Sequence, residues 1–521
     1  MENTIKPIND INEKLFIILF STFIVFILFG KTLSAEWKQV DDHEIISFLG
    51  KDKKLLVTEI PRIFLSSPDI TDFGKTTRFR PSYYLLRIIE TAFIGGNVHA
   101  WYAFQLILLI IFLSIFWFII LPVTGLYGGA VFITVLLMNT YWADLVSRLG
   151  CNEIYAIPGL AIFIYGFVCI CRNLYHGVVP KGKYWAFLCI GSVVCGGSKE
   201  NFLFLLIPTL YCGFLQYYYK KHTLISLLFF CLTITFNLMV MSVIIPPLIT
   251  IGKDLYGNEV SLNNILLTLS VEYKTYNSML AISFLILLFL MGLFFYVRNY
   301  NKFFKLTIKT ATYITGLFIL YLTQNIYYHG ILPTQTRYDF PAMLFAPIAF
   351  LVLYNYVLTI MNIQNRRKSH VNGVIFTILF IFLMYTKGFS VLISKVNQNV
   401  DETITYTRHL RNIVSVLQNQ PQSPLVLESY SPLDFDALQN YELFLHTYYG
   451  LKNPIIVRIH DYDKKDLNLF SNNDRQLIQW NKQFSSGTKG FTSSTEIDRY
   501  RGQCYSVFLS GESDTNCLPI D

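Results

Sequence analysis

Charge is scarce in this sequence. Of its 521 residues, 15% are Asp, Glu, Lys or Arg and 53% are hydrophobic. Soluble domains carry about 25% charged residues. One large core cannot absorb the deficit, because single cores stop growing near roughly 250–300 residues. A membrane as solvent can. Other absences narrow the chemistry. There is no Walker loop, Rossmann glycine fingerprint, Ser elbow or HExxH motif, so nucleotide chemistry on the cytoplasmic side has no visible support. No CxxC pair comes with a matching His or Cys set, which argues against a zinc site. No internal repeat stands out, which counts against a transporter built from repeated halves.

What is present is a series of apolar runs of about 20 residues, the length that crosses a hydrocarbon core of about 30 Å. About eleven candidates centre on 15–34, 102–121, 126–143, 154–171, 184–197, 202–218, 223–245, 279–297, 310–327, 341–361 and 371–391. The first lacks a small-residue cleavage site and reads as a retained helix. The run at 184–197 is short and contains glycine, so a tilted or broken helix is expected there. The expected architecture is an all-α polytopic membrane domain over 1–391, with a first outer loop at 35–101, followed by a small α/β extracytoplasmic domain over 392–521. Within that last part, Pro424–Glu428 and Pro454–Arg458 read as strands and Asp434–Tyr449 as a helix. In the first loop, 43–50 and 81–95 read as helices lying in the interface plane, the second with Pro81 in its first turn.

The net charge of +8 would suggest nucleic acid in a soluble protein. Here it reads as topology, and no nucleic-acid partner is expected. Lys6, Lys14, Arg172, Lys181, Lys183, Lys220, Lys221, Arg298, Lys302, Lys305, Lys309 and Arg366 to Lys368 share one side if the spans alternate. The positive-inside rule makes that side, and the N-terminus, cytoplasmic. The first loop is also basic but would lie outside, and loops longer than about 60 residues cross largely regardless of charge. Seven cysteines lie in or beside apolar runs, where Cys behaves as a small hydrophobe. Cys504 and Cys517 sit in the polar tail and are either a disulfide or two unpaired thiols.

The polar residues suited to chemistry fall on one side of this arrangement. Asp41-Asp42-His43-Glu44 follows the first span. Arg78 and Arg80 precede Pro81, Arg148 to Glu153 precede the fourth span, and Ser198-Lys199-Glu200 precede the sixth. His329 and Arg337-Tyr338-Asp339 precede a late one. Charged groups this close to spanning segments are functional candidates. Asp41 or Asp42, partly desolvated, could take a proton from a hydroxyl, or could be a solvated acid or a cap for the helix at His43. Arg78 and Arg80 could grip a phosphate or touch lipid headgroups. Lys199 either pairs with Glu200 or serves as a point charge for phosphate, and Arg337 either pairs with Asp339 or binds an anion. Glu153 could cap a helix or hold an acceptor. His329 is more often structural than catalytic. No ligand set supports a metal, although a divalent ion at the acid pair is conceivable.

An acidic pair just outside the first span, a long first outer loop and an outer tail domain together resemble the GT-C class of membrane glycosyltransferases. Arg337-Tyr338-Asp339-Phe340-Pro341 is similar to the Arg-Tyr motif before a late helix in several of its members. Within the class the size and topology look like phage-type glucosyltransferases that modify O-antigen. The lipid A aminoarabinose transferases are a close neighbour. The acidic pair departs from the Asp-Glu of protein O-mannosyltransferases, which puts a protein acceptor in doubt. The resemblance implies a bacterial inner-membrane enzyme without organic cofactor, working among membrane lipids. It implies glucose moved from undecaprenyl phosphate to a lipid-linked polysaccharide on the periplasmic face. Asp41 or Asp42 would be the base of an inverting single displacement. Arg78, Arg80, Lys199 and Arg337 would hold the donor phosphate, with Glu153, Glu200, His329 and Tyr338 as acceptor contacts or support. The rival readings are a polysaccharide polymerase or ligase, and a lipid or sugar flippase. The first looks more like chains with a large outer loop in mid-sequence, and the second should carry polar groups along a path at the bilayer midplane.

Overall fold

The structure, a computed structural model, describes residues 11–49, 52–71, 73–74, 77–251, 300–328, 332, 334, 336–360, 388–421, 423–429, 435–459, 488–489, 505–508 and 518–519. Numbered along these residues, the helices are α1 (Ile11–Phe29), α2 (His43–Phe48), α3 (Ile60–Leu65), α4 (Pro68–Thr71), α5 (Pro81–Ile94), α6 (Val98–Leu137), α7 (Tyr141–Val146) and α8 (Glu153–Tyr175). After them come α9 (Gly182–Gly196), α10 (Leu206–Tyr218), α11 (Leu224–Ile251), α12 (Tyr300–Tyr327), α13 (Phe345–Ile360), α14 (Gly388–Leu417) and α15 (Phe435–Leu443).

Six helical stretches among the described residues are long and apolar enough to cross a membrane, beginning at Ile11, Val98, Glu153, Leu224, Leu306 and Ala342, and α9 is a shorter apolar helix. The chain is a multi-pass membrane protein. The expected runs at 279–297 and most of 371–391 lie outside the described residues. The run at 202–218 forms a 3-10 stretch, Glu200–Leu205, leading into α10.

The two runs expected at 102–121 and 126–143 form two helical legs, together labelled α6, that meet at Gly125, whose φ 69° and ψ 179° no L side chain adopts readily, and the second leg ends at Leu137. Phe116 stacks on Phe132 with ring centroids 6.4 Å apart, and a Cβ on Gly129 would sit 2.0 Å from Trp117 Nε1. Residues 16 apart on a straight helix would be about 24 Å apart. So α6 is a hairpin, and its two legs run antiparallel.

The short helices follow local chemistry. Pro81 opens α5, where its missing N–H is no loss, and Gly95 at φ +63° ends it. Asn97 caps α6, its side chain accepting from the Ala100 N–H at 3.2 Å.

The terminal residues form a sheet in the order β3-β2-β1-β4-β5: β1 (Leu425–Ser429), β2 (Ile455–Ile459), β3 (Thr488–Lys489), β4 (Tyr505–Phe508) and β5 (Leu518–Pro519). β1 pairs in parallel with β2 and β4, and β5 is antiparallel to β4. The boundary expected at 391/392 falls inside α14, so the helix carries the chain from one part into the other. This terminal part rests on the first loop. Trp37 packs on Phe444 at 5.6 Å, and Arg411 pairs with Glu36 at 2.8 Å. Lys38 pairs with Glu402 at 2.6 Å, and Lys31 with Asp401 at 3.1 Å.

Candidate functional site

Four inter-helix segments meet at one end of the bundle, and their charges pair across segments rather than within them. Asp41 lies in the turn between α1 and α2 at φ +76°, a left-handed conformation that Asp tolerates better than most residues. Its Oδ2 receives Arg337 NH1 at 3.1 Å and lies 3.6 Å from Arg148 NH2. The neighbouring backbone makes this approach possible. A Cβ on Gly150 would stand 1.9 Å from the Asp41 Cβ, so only glycine fits between α7 and α8 at that point. Arg337 NH1 also donates to Cys151 Sγ at 3.2 Å, and the Cys151 thiol donates to the Asp144 carbonyl at 3.2 Å.

A second pair adjoins the first. Lys199 forms an ion pair with Glu153 at the start of α8. Both Lys199 and Arg337 face the Tyr338 ring, at 4.9 Å and 5.4 Å from its centroid. Lys199 does not pair with Glu200. Its backbone is extended, at φ −155° and ψ 139°, so the two adjacent side chains leave on opposite sides. Glu200 instead lies 3.7 Å from Arg80. Likewise Arg337 passes over Asp339, whose Oδ1 accepts from the Thr334 N–H and hydroxyl at 2.6 and 2.8 Å.

The acid pair is split by environment. Burial tends to raise the Asp41 carboxyl, but the charges of Arg337 and Arg148 outweigh it and hold the group below the usual carboxylate range. Its side chain is 24% exposed. Asp42 is fully buried, and burial pushes its carboxyl up to about 7 against the Lys38 N–H and the charge of Arg87. It stands at the N-cap of α2, but its side chain makes no capping bond; Oδ2 accepts from the Lys38 N–H at 2.7 Å, and Oδ1 is buried without a hydrogen-bond partner among the described residues.

Arg80 is drawn away from the cluster. Asp69 takes its Nε at 2.9 Å and NH2 at 3.4 Å, and it is 8% exposed. Arg78 is half-buried on the same segment. His329, Cys504 and Cys517 lie outside the described residues.

Sequence reasoning counted the Arg148 to Glu153 cluster among the functional candidates but gave no specific role to Arg148, Cys151 or the supports of their loop. Arg87 donates to the Leu149 carbonyl, and Gln105 donates to the Arg148 carbonyl at 3.0 Å. The one available signal for Arg148 was a basic residue in a short outer loop, immediately ahead of Gly150-Cys151-Asn152-Glu153. Among the described residues no group of three or more His, Cys, Asp or Glu could hold a metal ion.

Fold and site together define a polytopic membrane protein with a charged site where its inter-helix segments converge. No family model matches the chain, and no curated protein matches it by sequence. Among solved structures it is similar to the crystal structure of ArnT from Cupriavidus metallidurans bound to undecaprenyl phosphate, at a TM-score of 0.48 and 9% identity, covering 94% of this chain and 92% of that one. The site's own geometry carries the function proposed next.

Proposed function

We propose that this chain is a membrane glycosyltransferase of the GT-C class, moving a sugar from a polyprenyl-phosphate donor to an acceptor hydroxyl. One observation carries the proposal. Arg148, Lys199 and Arg337, from three separate segments, converge on Asp41 and Glu153, leaving an excess of positive charge beside a partly exposed carboxylate. That is the charge pattern a phosphate leaving group and a proton acceptor need side by side. The acceptor oxygen attacks the anomeric carbon, and the bond from that carbon to the phosphate oxygen breaks. Asp41 takes the hydroxyl proton, and the phosphate departs with the bonding electrons, stabilised by Arg337, Arg148 and Lys199. Asp41 is assigned as the base over Asp42 because it is both ionised and reachable. Donor phosphate would also draw the two guanidinium groups off Asp41 and so raise its proton affinity when substrate is in place. Arg80, held by Asp69, is given a structural part.

Glucose as the sugar, undecaprenyl phosphate as its carrier and a lipid-linked polysaccharide such as O-antigen as the acceptor follow from the sequence resemblance. So does a site on the periplasmic face of a bacterial inner membrane. The test is transfer of radiolabelled glucose from its polyprenyl phosphate to envelope polysaccharide in membranes bearing wild type, Asp41→Asn, Asp42→Asn or Arg337→Gln. Transfer should fall by about 10²–10⁴-fold in Asp41→Asn and by about 10²-fold or more in Arg337→Gln, with Asp42→Asn far less affected. Wild-type rates in Asp41→Asn would remove it as the base. Wild type inactive with several lipid-linked sugars would leave a polymerase, ligase or flippase in its place.

A further inference from the structure

Helix α14 presents a buried stripe that is polar where an apolar one would be expected. Asn399, Thr403 and Thr407 follow one another at four-residue spacing on one face, and they are 2%, 0% and 1% exposed. Polar groups hidden this completely cost stability unless they are bonded, and each bonds to a segment that carries a site residue. Asn399 Nδ2 donates to Ser147 Oγ at 2.7 Å and to Asp144 Oδ1 at 3.3 Å, immediately before Arg148 and on the residue whose carbonyl receives the Cys151 thiol. Thr403 Oγ1 accepts from the Glu36 N–H at 2.9 Å, and Thr407 donates to the Trp37 carbonyl at 3.4 Å. One residue further along, Asn440 donates to the Lys38 carbonyl at 2.6 Å, and the Lys38 N–H holds Asp42.

We infer that Asn399 and Thr403 are positioning residues, and that the α14 stripe sets the separation between the turn bearing Asp41 and the loop bearing Arg148 and Cys151. The terminal part of the chain is then a brace of the site. The effect on catalysis rests on the glycosyl-transfer reading; the geometric claim does not.

The test pairs two readouts on the full chain in membranes, in Asn399→Leu, Thr403→Val and the conservative Thr403→Ser. The first is alkylation of native Cys151 by a small thiol reagent, resolved by peptide mass spectrometry. Cys195, fully buried between α8 and α9 and bonded to the Ala156 carbonyl, is the internal reference. Asn399→Leu and Thr403→Val should speed Cys151 alkylation about 10-fold with Cys195 unchanged, and Thr403→Ser should behave as wild type. The second readout is transfer kinetics, where kcat should fall about 10-fold or more with the donor KM little changed. If Cys151 and Cys195 open together, or Cys151 stays protected in both variants, the stripe is ordinary packing and the inference is overturned. If Cys151 responds as expected while wild type transfers no sugar from any lipid donor, the positioning stands and the glycosyltransferase reading falls.

Discussion

A carboxylate that serves as a base must be ionised and reachable, and Asp41 and Asp42 divide these conditions unequally. Burial raises Asp42 from 3.8 to about 7. Between those values the folded protein holds a proton that the unfolded chain has released, so the stability from this group is present at low pH and lost as pH rises through about 7. Asp42→Asn keeps the acceptor for the Lys38 N–H and removes the titration. Its melting temperature relative to wild type should therefore improve by about 2 °C or more between about pH 5 and about pH 8; a constant difference across that range would contradict the raised Asp42. Gly150 makes the complementary case. Gly150→Ala places a methyl group against the Asp41 Cβ, and Asp41 is already in a left-handed conformation with little room to yield. Stability should drop by roughly 1–3 kcal/mol, while transfer falls by about 10²-fold because the proposed base is displaced. Equal transfer by Gly150→Ala and wild type would show that Asp41 need not sit where it does.

Elements were more legible than their junctions. The helices at 43–50 and 81–95 formed within a residue or two of their expected bounds, and so did the strands at 424 and 454, because Pro81, Gly95 and the short apolar runs Leu425–Leu427 and Ile455–Val457 are local signals. The α6 hairpin was legible as two apolar runs but not as a fold-back, since nothing local says that Gly125 takes an extended, positive-φ conformation. That fold-back yields its own prediction. Gly129→Ala drives a methyl group into Trp117, which is fully buried and cannot swing aside. It should lower stability by about 1–3 kcal/mol, and Trp117→Phe should recover part of that in the double variant, since touching residues are not additive. Thermal melts of the two singles and the double would decide it, and strict additivity would mean the legs are not in contact there.

Across the whole molecule, the meeting of Asp41, Arg148 to Glu153, Lys199 and Arg337 puts the segments at 30–42, 138–152, 197–205 and 336–344 at one end. The basic loops at 172–183 and 219–223 are thereby sent to the other, where Tyr175 meets Tyr211 and Tyr219. Alternation of apolar runs was enough to foresee which segments share an end. It could not foresee partners: the pairings Lys199 with Glu153 and Arg337 with Asp41 join residues 46 and 296 positions apart. Proximity in sequence favoured Glu200 and Asp339 instead. Which end faces out rests on the distribution of Lys and Arg. An impermeant thiol reagent on intact cells should label Asp401→Cys, beside the site, and spare Lys181→Cys, with wild type as the blank. The opposite pattern would invert the orientation.

The bonds from α14 and α15 to the first loop have a consequence for biosynthesis. Glu36 waits for Thr403, 367 residues later, and Lys38 for Asn440, 402 residues later. A ribosome adding roughly 5–20 residues per second needs tens of seconds to close that interval. During it the first loop has already emerged without the partners that fix Asp41. A chain interrupted after α13 would retain the membrane-crossing helices described above while Asp41 and Arg148 stayed unbraced. The nascent protein would therefore be a membrane resident well before its charged site is assembled, and on the proposed glycosyl-transfer reading activity would begin only when the last quarter of the chain has folded back onto the first tenth.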